Sequence, residues 1–280
     1  MPTQLEKSAA FRALHYRSTA FVIPNPWDVG SARLLAGLGF EALATTSAGY
    51  AFSVGKRDNT VGRDEIIRHV RAIVESTDLP VSADLENGFG DDPRDVAETI
   101  RQGMEAGLAG GSIEDATART ADPLYSLAHA AERVRAAAET AHAGSIPFTL
   151  TARAENHLVG NPDLGDTIRR LQAYQEAGAD VLYAPGLTGR DEIAELVRSV
   201  DRPVNVLLGL AGMKLSVADL EALGVRRVSV GSALARAAFG AFLRAARELR
   251  DRGTADFLDD EMGLAGLSAM FDPPVGTDRR

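Results

Sequence analysis

The chain has 280 residues, 45% hydrophobic and 25% charged, with a formal net charge of -9 and no cysteine. That hydrophobic fraction supplies a full globular core, while the negative balance disfavours nucleic acid, which is bound through clustered Lys and Arg. The missing cysteine excludes disulfides, thiolate metal sites and a cysteine nucleophile or acid.

No stretch approaches the roughly 18 consecutive apolar residues of a membrane span. The polar start Met1-Pro2-Thr3-Gln4-Leu5-Glu6-Lys7 lacks the apolar segment of a signal peptide. A cytoplasmic protein without a membrane partner is expected.

In chain order, short runs rich in Val, Ile, Leu and Ala alternate with helical patterns. The first two predicted strands are Phe21–Asn25 and Ala42–Ser47. A helix over Asp64–Ser76 follows, with Ile66, Ile67, Val70, Ile73 and Val74 on one face. Strand Pro80–Asp84 leads to helix Asp92–Ala106, which opens on an Asp-Pro start signal. Strands Gly111–Glu114 and Phe148–Arg153 come next, then helix Asp166–Ala177 with Gly178 as its stop. Strands Val181–Pro185, Val204–Leu207 and Arg227–Val230 complete eight. Helix Ala233–Arg252 and an extra amphipathic helix over Leu264–Phe271 end the pattern. Strand–helix alternation implies βαβ units on a parallel sheet, and eight units close into an α/β, (β/α)8 TIM-type barrel. One domain is expected over 1–272, with a disordered tail over 273–280.

A barrel carries its active site at the C-terminal ends of its strands. Those ends are polar here. Strand two ends in Thr45-Thr46-Ser47-Ala48-Gly49, strand three in Asp84-Leu85-Glu86-Asn87-Gly88, and strand four in Glu114-Asp115. Strand five ends in Arg153-Ala154-Glu155-Asn156-His157, and strand seven carries Asn205. Asp84 and Glu86 are two apart and share one face of an extended strand. Carboxylates at successive strand ends call for a positive partner, and oxygen-only ligands suit Mg²⁺ or Mn²⁺. Arg153 is suited to a two-pronged clamp on a substrate carboxylate. His157 and Asn205 are candidate substrate contacts, and Tyr50 and Phe52 candidate linings of the pocket mouth. The other histidines, His15, His69, His129 and His142, fall on predicted helices or their ends and are expected at the surface or in caps.

These blocks resemble the isocitrate lyase/phosphoenolpyruvate mutase superfamily. Ser82-Ala83-Asp84-Leu85-Glu86-Asn87-Gly88-Phe89-Gly90 is similar to its Asp-x-Asp-x-Gly-aromatic-Gly segment. Ser112-Ile113-Glu114-Asp115 and Thr151-Ala152-Arg153 are similar to its next strand ends. Thr46-Ser47-Ala48-Gly49 with Gly55-Lys56-Arg57-Asp58 is similar to its second-strand loop. The resemblance runs from about Phe21 to Phe239.

It implies that Asp84 ligates Mg²⁺, directly or through water, and that Glu86 and Glu114 hold the ion's waters. It implies substrate contacts near Ser47, Ala48 and Gly49 and from Arg153, with Asp58 close to the reacting group. It also implies a homotetramer, a dimer of dimers that swap their last helices. The chain departs from the family in two places. Glu86 stands where the second Asp is usual. Ala116-Thr117-Ala118-Arg119-Thr120-Ala121-Asp122 replaces both the Cys-containing loop of the isocitrate and methylisocitrate lyases and the gating loop of the phosphonate enzymes.

The expected reaction is therefore Mg²⁺-dependent decarboxylation of oxaloacetate, a small 2-oxo acid, through a stabilised enolate. The alternatives are carbon–carbon cleavage of a substituted malate, with Asp58, Glu155 or His157 as base, and phosphonopyruvate-type P–C chemistry. More remote are a phosphate-binding barrel, with Val230-Gly231-Ser232 as the cradle and Gly209-Leu210-Ala211-Gly212 as a loose second loop, and a non-catalytic oxo-acid binder.

Overall fold

Eight parallel strands form a nearly closed barrel in the computed structural model, which describes residues 2–271. The expected tail over 273–280 and the domain end at 272 lie outside the described residues. Helix α1 (Gln4–Leu14) starts with a capping box between Thr3 and Glu6. Its Phe11 packs with Phe21, Ile23, Ala42 and Ala109 as a separate apolar plug.

The chain then alternates as expected. In order it runs β1 (Phe21–Ile23), α2 (Val29–Gly37), β2 (Leu43–Ala44), α3 (Ser47–Ser53), α4 (Arg63–Glu75), β3 (Val81–Asp84), α5 (Pro93–Glu105) and β4 (Gly110–Glu114). It continues with α6 (Leu127–His142), β5 (Thr149–Arg153), α7 (Leu164–Glu176), β6 (Val181–Tyr183), α8 (Arg190–Arg198), β7 (Val204–Leu207), α9 (Val217–Ala222) and β8 (Arg227–Ser229). The long α10 (Ala233–Arg252), a 3₁₀ turn (Asp256–Asp260) and α11 (Leu264–Ala269) follow.

The strand order is β1-β8-β7-β6-β5-β4-β3-β2. At the seam between β1 and β2, Ala44 N–H donates to Pro24 O at 3.1 Å and Asn25 Nδ2 to Thr45 O at 3.1 Å. Helices α4 to α8 each bury one stripe. On α4 that stripe is Ile66, Ile67, Val70 and Ile73, and each such side chain contributes about 1.5–3 kcal/mol when buried. Asp92 caps α5 through Arg94 N–H, with Pro93 at the first helical position.

Three expectations are corrected. The second strand stops at Ala44, because Thr46 caps a new helix, accepting from Gly49 N–H at 3.3 Å, and Ser47 begins α3. His15 and His69 are buried rather than at the surface. The pattern of one helix face shows that a residue points inward, and a histidine there signals either a surface turn or a satisfied core position. His15 bonds Phe11 O through Nδ1 at 2.9 Å, and His69 stacks on Tyr50 with ring centroids 3.8 Å apart.

Among the described residues, no helix is long and apolar enough to cross a membrane.

Candidate active site

Strand register builds the centre of the site. Glu114 pairs with Arg153 across β4 and β5, and Asp84 pairs with Ser112 across β3 and β4. Arg153 thus lies between three carboxylates. Its Nη1 donates to Asp84 Oδ1 at 2.9 Å and lies 3.1 Å from Glu114 Oε2, while its Nε donates to Glu155 Oε1 at 2.8 Å. The other oxygen of Asp84 accepts from Ser47 Oγ at 2.8 Å and from Ser47 N–H at 3.3 Å. The start of α3 therefore orients Asp84.

Gly49 permits that placement. A Cβ there would stand 2.5 Å from Thr46 Cγ2 and 3.0 Å from Trp27 Cβ.

The turn after β3 is held in unusual backbone. Glu86 (φ 49) and Phe89 (φ 60) adopt the left-handed region, beside Gly88 (φ 81). Such non-glycine positions cost of order 1–3 kcal/mol and persist where surroundings over-determine them. Buried Arg133 does so here. It donates to the carbonyls of Asn87, Gly90 and Asp91 and lies 4.1 Å from the centroid of the Tyr125 ring.

Electrostatics mark this end of the barrel as acidic. Burial, then Asp84 and Asp58, push Glu86 up to about 8. Burial raises Glu114 well above the usual carboxylate range, against the pull of Arg153. Burial raises Glu155 to about 7, with Asp115 adding to it. Burial and then Asp84 raise Asp58, partly offset by the bond from Asn59 N–H. Burial opposes the charge on Arg153, but Glu155, Glu114 and Asp84 overcome it and hold its proton.

Five carboxylates, Asp58, Asp84, Glu86, Glu114 and Glu155, thus share one guanidinium. Among the described residues, no three His, Cys, Asp or Glu side chains converge as a ready ligand set. That is compatible with Mg²⁺, which keeps several waters and takes only one or two carboxylates. The oxygen-only donors, and carboxyl groups that outnumber the neighbouring cation, fit such an ion.

Ser47, Ala48, Asp58, Asp84, Arg153 and Asn205 line one cavity of about 170 Å³. An adjoining cleft of about 370 Å³ shares Ser47, Asp58 and Arg153 and adds Glu114 and Glu155. A wider cleft of about 740 Å³ touches Glu86 and Glu114 but neither Asp84 nor Arg153. The smaller cavity combines Arg153, the bound Asp84 and the start of α3 on its wall.

Three expected contacts are not brought there. Gly49 gives its N–H to Thr46 and packs against Trp27 and Ala235. Tyr50 stacks on His69 and points its hydroxyl at Glu65, 3.4 Å away. His157 packs under Gly186 and lines neither the cavity nor the adjoining cleft.

The glycine turn after β8 is also engaged by its own chain, with Val230 and Gly231 N–H both donating to Asn25 Oδ1 at 2.9 Å.

Sequence reasoning missed Tyr183 and Arg227, which line the cavity from β6 and β8. The available signal was Arg227 two residues before Ser229 in a short apolar strand, a spacing that sends both to one face.

The fold and the acidic strand ends define a barrel enzyme of the oxo-acid lyase and mutase kind. The phosphoenolpyruvate phosphomutase family model matches residues 11–250. A candidate lyase/mutase of Burkholderia cenocepacia J2315 is 59% identical, covers 97% of both chains and superposes with a TM-score of 0.94. The Mycobacterium tuberculosis H37Rv protein Rv1998c is 35% identical over 86% of this chain and 89% of its own. The oxaloacetate decarboxylase of Chromohalobacter salexigens is 30% identical over 89% and 88%. A phosphonopyruvate hydrolase bound to oxalate and Mg²⁺ is 26% identical over 96% and 95%, with a TM-score of 0.84. The chain belongs to the phosphoenolpyruvate phosphomutase family, within the isocitrate lyase/phosphoenolpyruvate mutase superfamily of enzymes.

Proposed function

We propose that the chain is a Mg²⁺-dependent carbon–carbon lyase that decarboxylates oxaloacetate to pyruvate. The observation that carries this reading is the size and lining of the cavity. Its volume of about 170 Å³ is many times the roughly 10–15 Å³ that one water needs, room for a small diacid.

Asp84 is the candidate direct ligand of the ion, with Glu86 and Glu114 holding its waters. Once bound, Mg²⁺ would supply a Lewis acid for the 2-oxo group. The protein's own residues do the rest. Ser47 and Arg153 fix Asp84 from both sides. Ala48, beside Ser47 on the cavity wall, is the candidate to offer its backbone to the substrate. As the C3–C4 bond breaks, CO₂ leaves and the electron pair moves into the 2-oxo group. Asp58, whose pKa burial raises, then delivers a proton to C3, and water restores it. No thiol is needed.

Glu155 supports a second reading. Its carboxyl titrates at about 7, which suits a base working near neutral pH, and cleavage of a substituted malate needs such a base on its hydroxyl.

A coupled assay of pyruvate release from oxaloacetate, with Mg²⁺ and then with chelator, tests the proposal. Fast, chelator-sensitive release is expected, and Asp84→Ala should abolish it without unfolding the chain. Absence of release would reject the decarboxylase and move the search to substituted malates.

The assembly reading, a dimer of dimers with exchanged last helices, is supported by the apolar side chains that α10 and α11 expose, among them Phe242, Leu243, Leu249 and Leu264. Sedimentation of a monomer would refute it.

A further inference from the structure

We propose that Arg227, together with Asn205 and Ser229, forms an anion subsite on the barrel-interior side of the cavity that takes one carboxylate of a small dicarboxylic acid. The proposal rests on the oxo-acid reading above and names the group that recognises the second carboxylate.

Arg227 opens β8, opposite Asn205 on β7 and Phe21 on β1. It is 5% exposed and lines the cavity with Asn205 and Ser229. Its Nε donates to Asn205 Oδ1 at 3.0 Å, and its Nη1 lies 3.4 Å from His15 Nε2. Asn205 Nδ2 in turn donates to Ser229 Oγ at 3.0 Å. One edge of the guanidinium is therefore held. Among the described residues, no carboxylate pairs with it.

The other buried arginines are each engaged by several groups of the protein. Arg153 meets Asp84, Glu114 and Glu155. Arg170 meets Asp115 and Asp166. Arg133 gives both Nη groups to three backbone carbonyls, its Nε is buried without a partner, and it lies off the cavity wall.

His15 cannot neutralise Arg227. Burial, then Arg227 itself, hold the imidazole at about 3, so it is neutral, and its Nε2 accepts. Burial lowers Arg227 to about 10, and it stays cationic at neutral pH. Tyr183, pushed up to about 12 chiefly by burial, is a neutral phenol on the same wall. A buried charge without a counter-ion is costly, and an arginine fork matches a carboxylate in shape and charge. Of the two arginines on this cavity, Arg153 is already engaged by the protein. Arg227 is the one placed to receive an anion from outside.

An arginine on a carboxylate destined to leave as CO₂ binds the ground state at least as well as the transition state, so its loss should appear mainly in KM.

The test uses the full chain in Mg²⁺ buffer and succinate, a four-carbon diacid that cannot react. Calorimetry should show succinate binding to the wild type, weakened tenfold or more in Arg227→Met and less in Arg227→Lys. Asn205→Asp would place an internal carboxylate on Arg227, so it should abolish succinate binding while raising Tm. Ligand-free Arg227→Met should melt no lower than the wild type, because an unpaired buried cation is removed. Wild-type-like succinate binding by Arg227→Met, or no binding by the wild type, would overturn the subsite. So would a lowered Tm in both Arg227→Met and Asn205→Asp, which marks a purely structural role. Intact, Arg227-dependent succinate binding without oxaloacetate turnover would instead reject the decarboxylase reading alone.

Discussion

Replacing Asp115 by Asn should destabilise the whole strand-end constellation without touching the cavity wall. Asp115 follows Glu114 and is 3% exposed. Its Oδ1 accepts from Glu155 N–H at 2.8 Å, and its Oδ2 accepts from Arg170 Nη1 at 3.0 Å and Tyr174 OH at 2.6 Å. The carboxylate thus ties the end of β4 to the segment after β5 and to α7. Removing one member of a buried ion pair costs about 3–5 kcal/mol. Two features reduce that here. Arg170 keeps Asp166 at 2.7 Å, and burial, the first cause acting on Asp115, already raises its pKa. A loss of about 3 kcal/mol is therefore expected. At an unfolding entropy of about 2.1 cal/mol/K per residue, the 280-residue chain should melt about 5 °C lower. Differential scanning calorimetry of the wild type, Asp115→Asn and Tyr174→Phe measures it. Tyr174→Phe removes one neutral donor and should cost about 1 kcal/mol. An Asp115→Asn Tm within about 1 °C of wild type would refute the pairing as a source of stability.

Arg153→Lys keeps the charge but cannot reach Glu155 and the Asp84–Glu114 pair together. Losing one charged hydrogen bond, about 1.5–3 kcal/mol, should lower kcat/KM roughly 10- to 100-fold, and unchanged steady-state kinetics would reject the role. Gly49→Ala should overpack α3 against Trp27 and Ala235, at about 1–3 kcal/mol, read as a lower Tm with weaker activity because Ser47 shifts. For His15, the folded pKa of about 3 lies below the ordinary 6.5. The unfolded chain therefore binds the extra proton between those values, so this contribution is whole above pH 6.5 and lost as pH falls through 3. Denaturant melts of His15→Gln should show a shallower loss of stability between pH 6.5 and 4, and a slope equal to the wild type's would contradict the assignment.

Local pattern determined much of this protein. The eight strands, the Asp92-Pro93 start of α5 and the full span of α10 follow from side-chain periodicity and end signals, which act over a few residues. The polar strand ends carrying Asp84, Glu114 and Arg153 were legible for the same reason, because a barrel places every strand's C-terminal end on one face.

Tertiary structure decided what those residues do to one another. Arg153 reads in sequence as a free clamp, yet the register of β4 and β5 and the approach of Asp84 surround it with carboxylates. Ser47 reads as the end of a strand, until the Thr46 cap turns the chain into α3 and aims it at Asp84. Arg227 reads as the second of two adjacent arginines before a short strand, and only closure of β8 between β7 and β1 buries it on the cavity wall. Contacts between residues 69 apart, as Asp84 and Arg153 are, depend on strand stagger and barrel closure. No short-range periodicity encodes those two quantities.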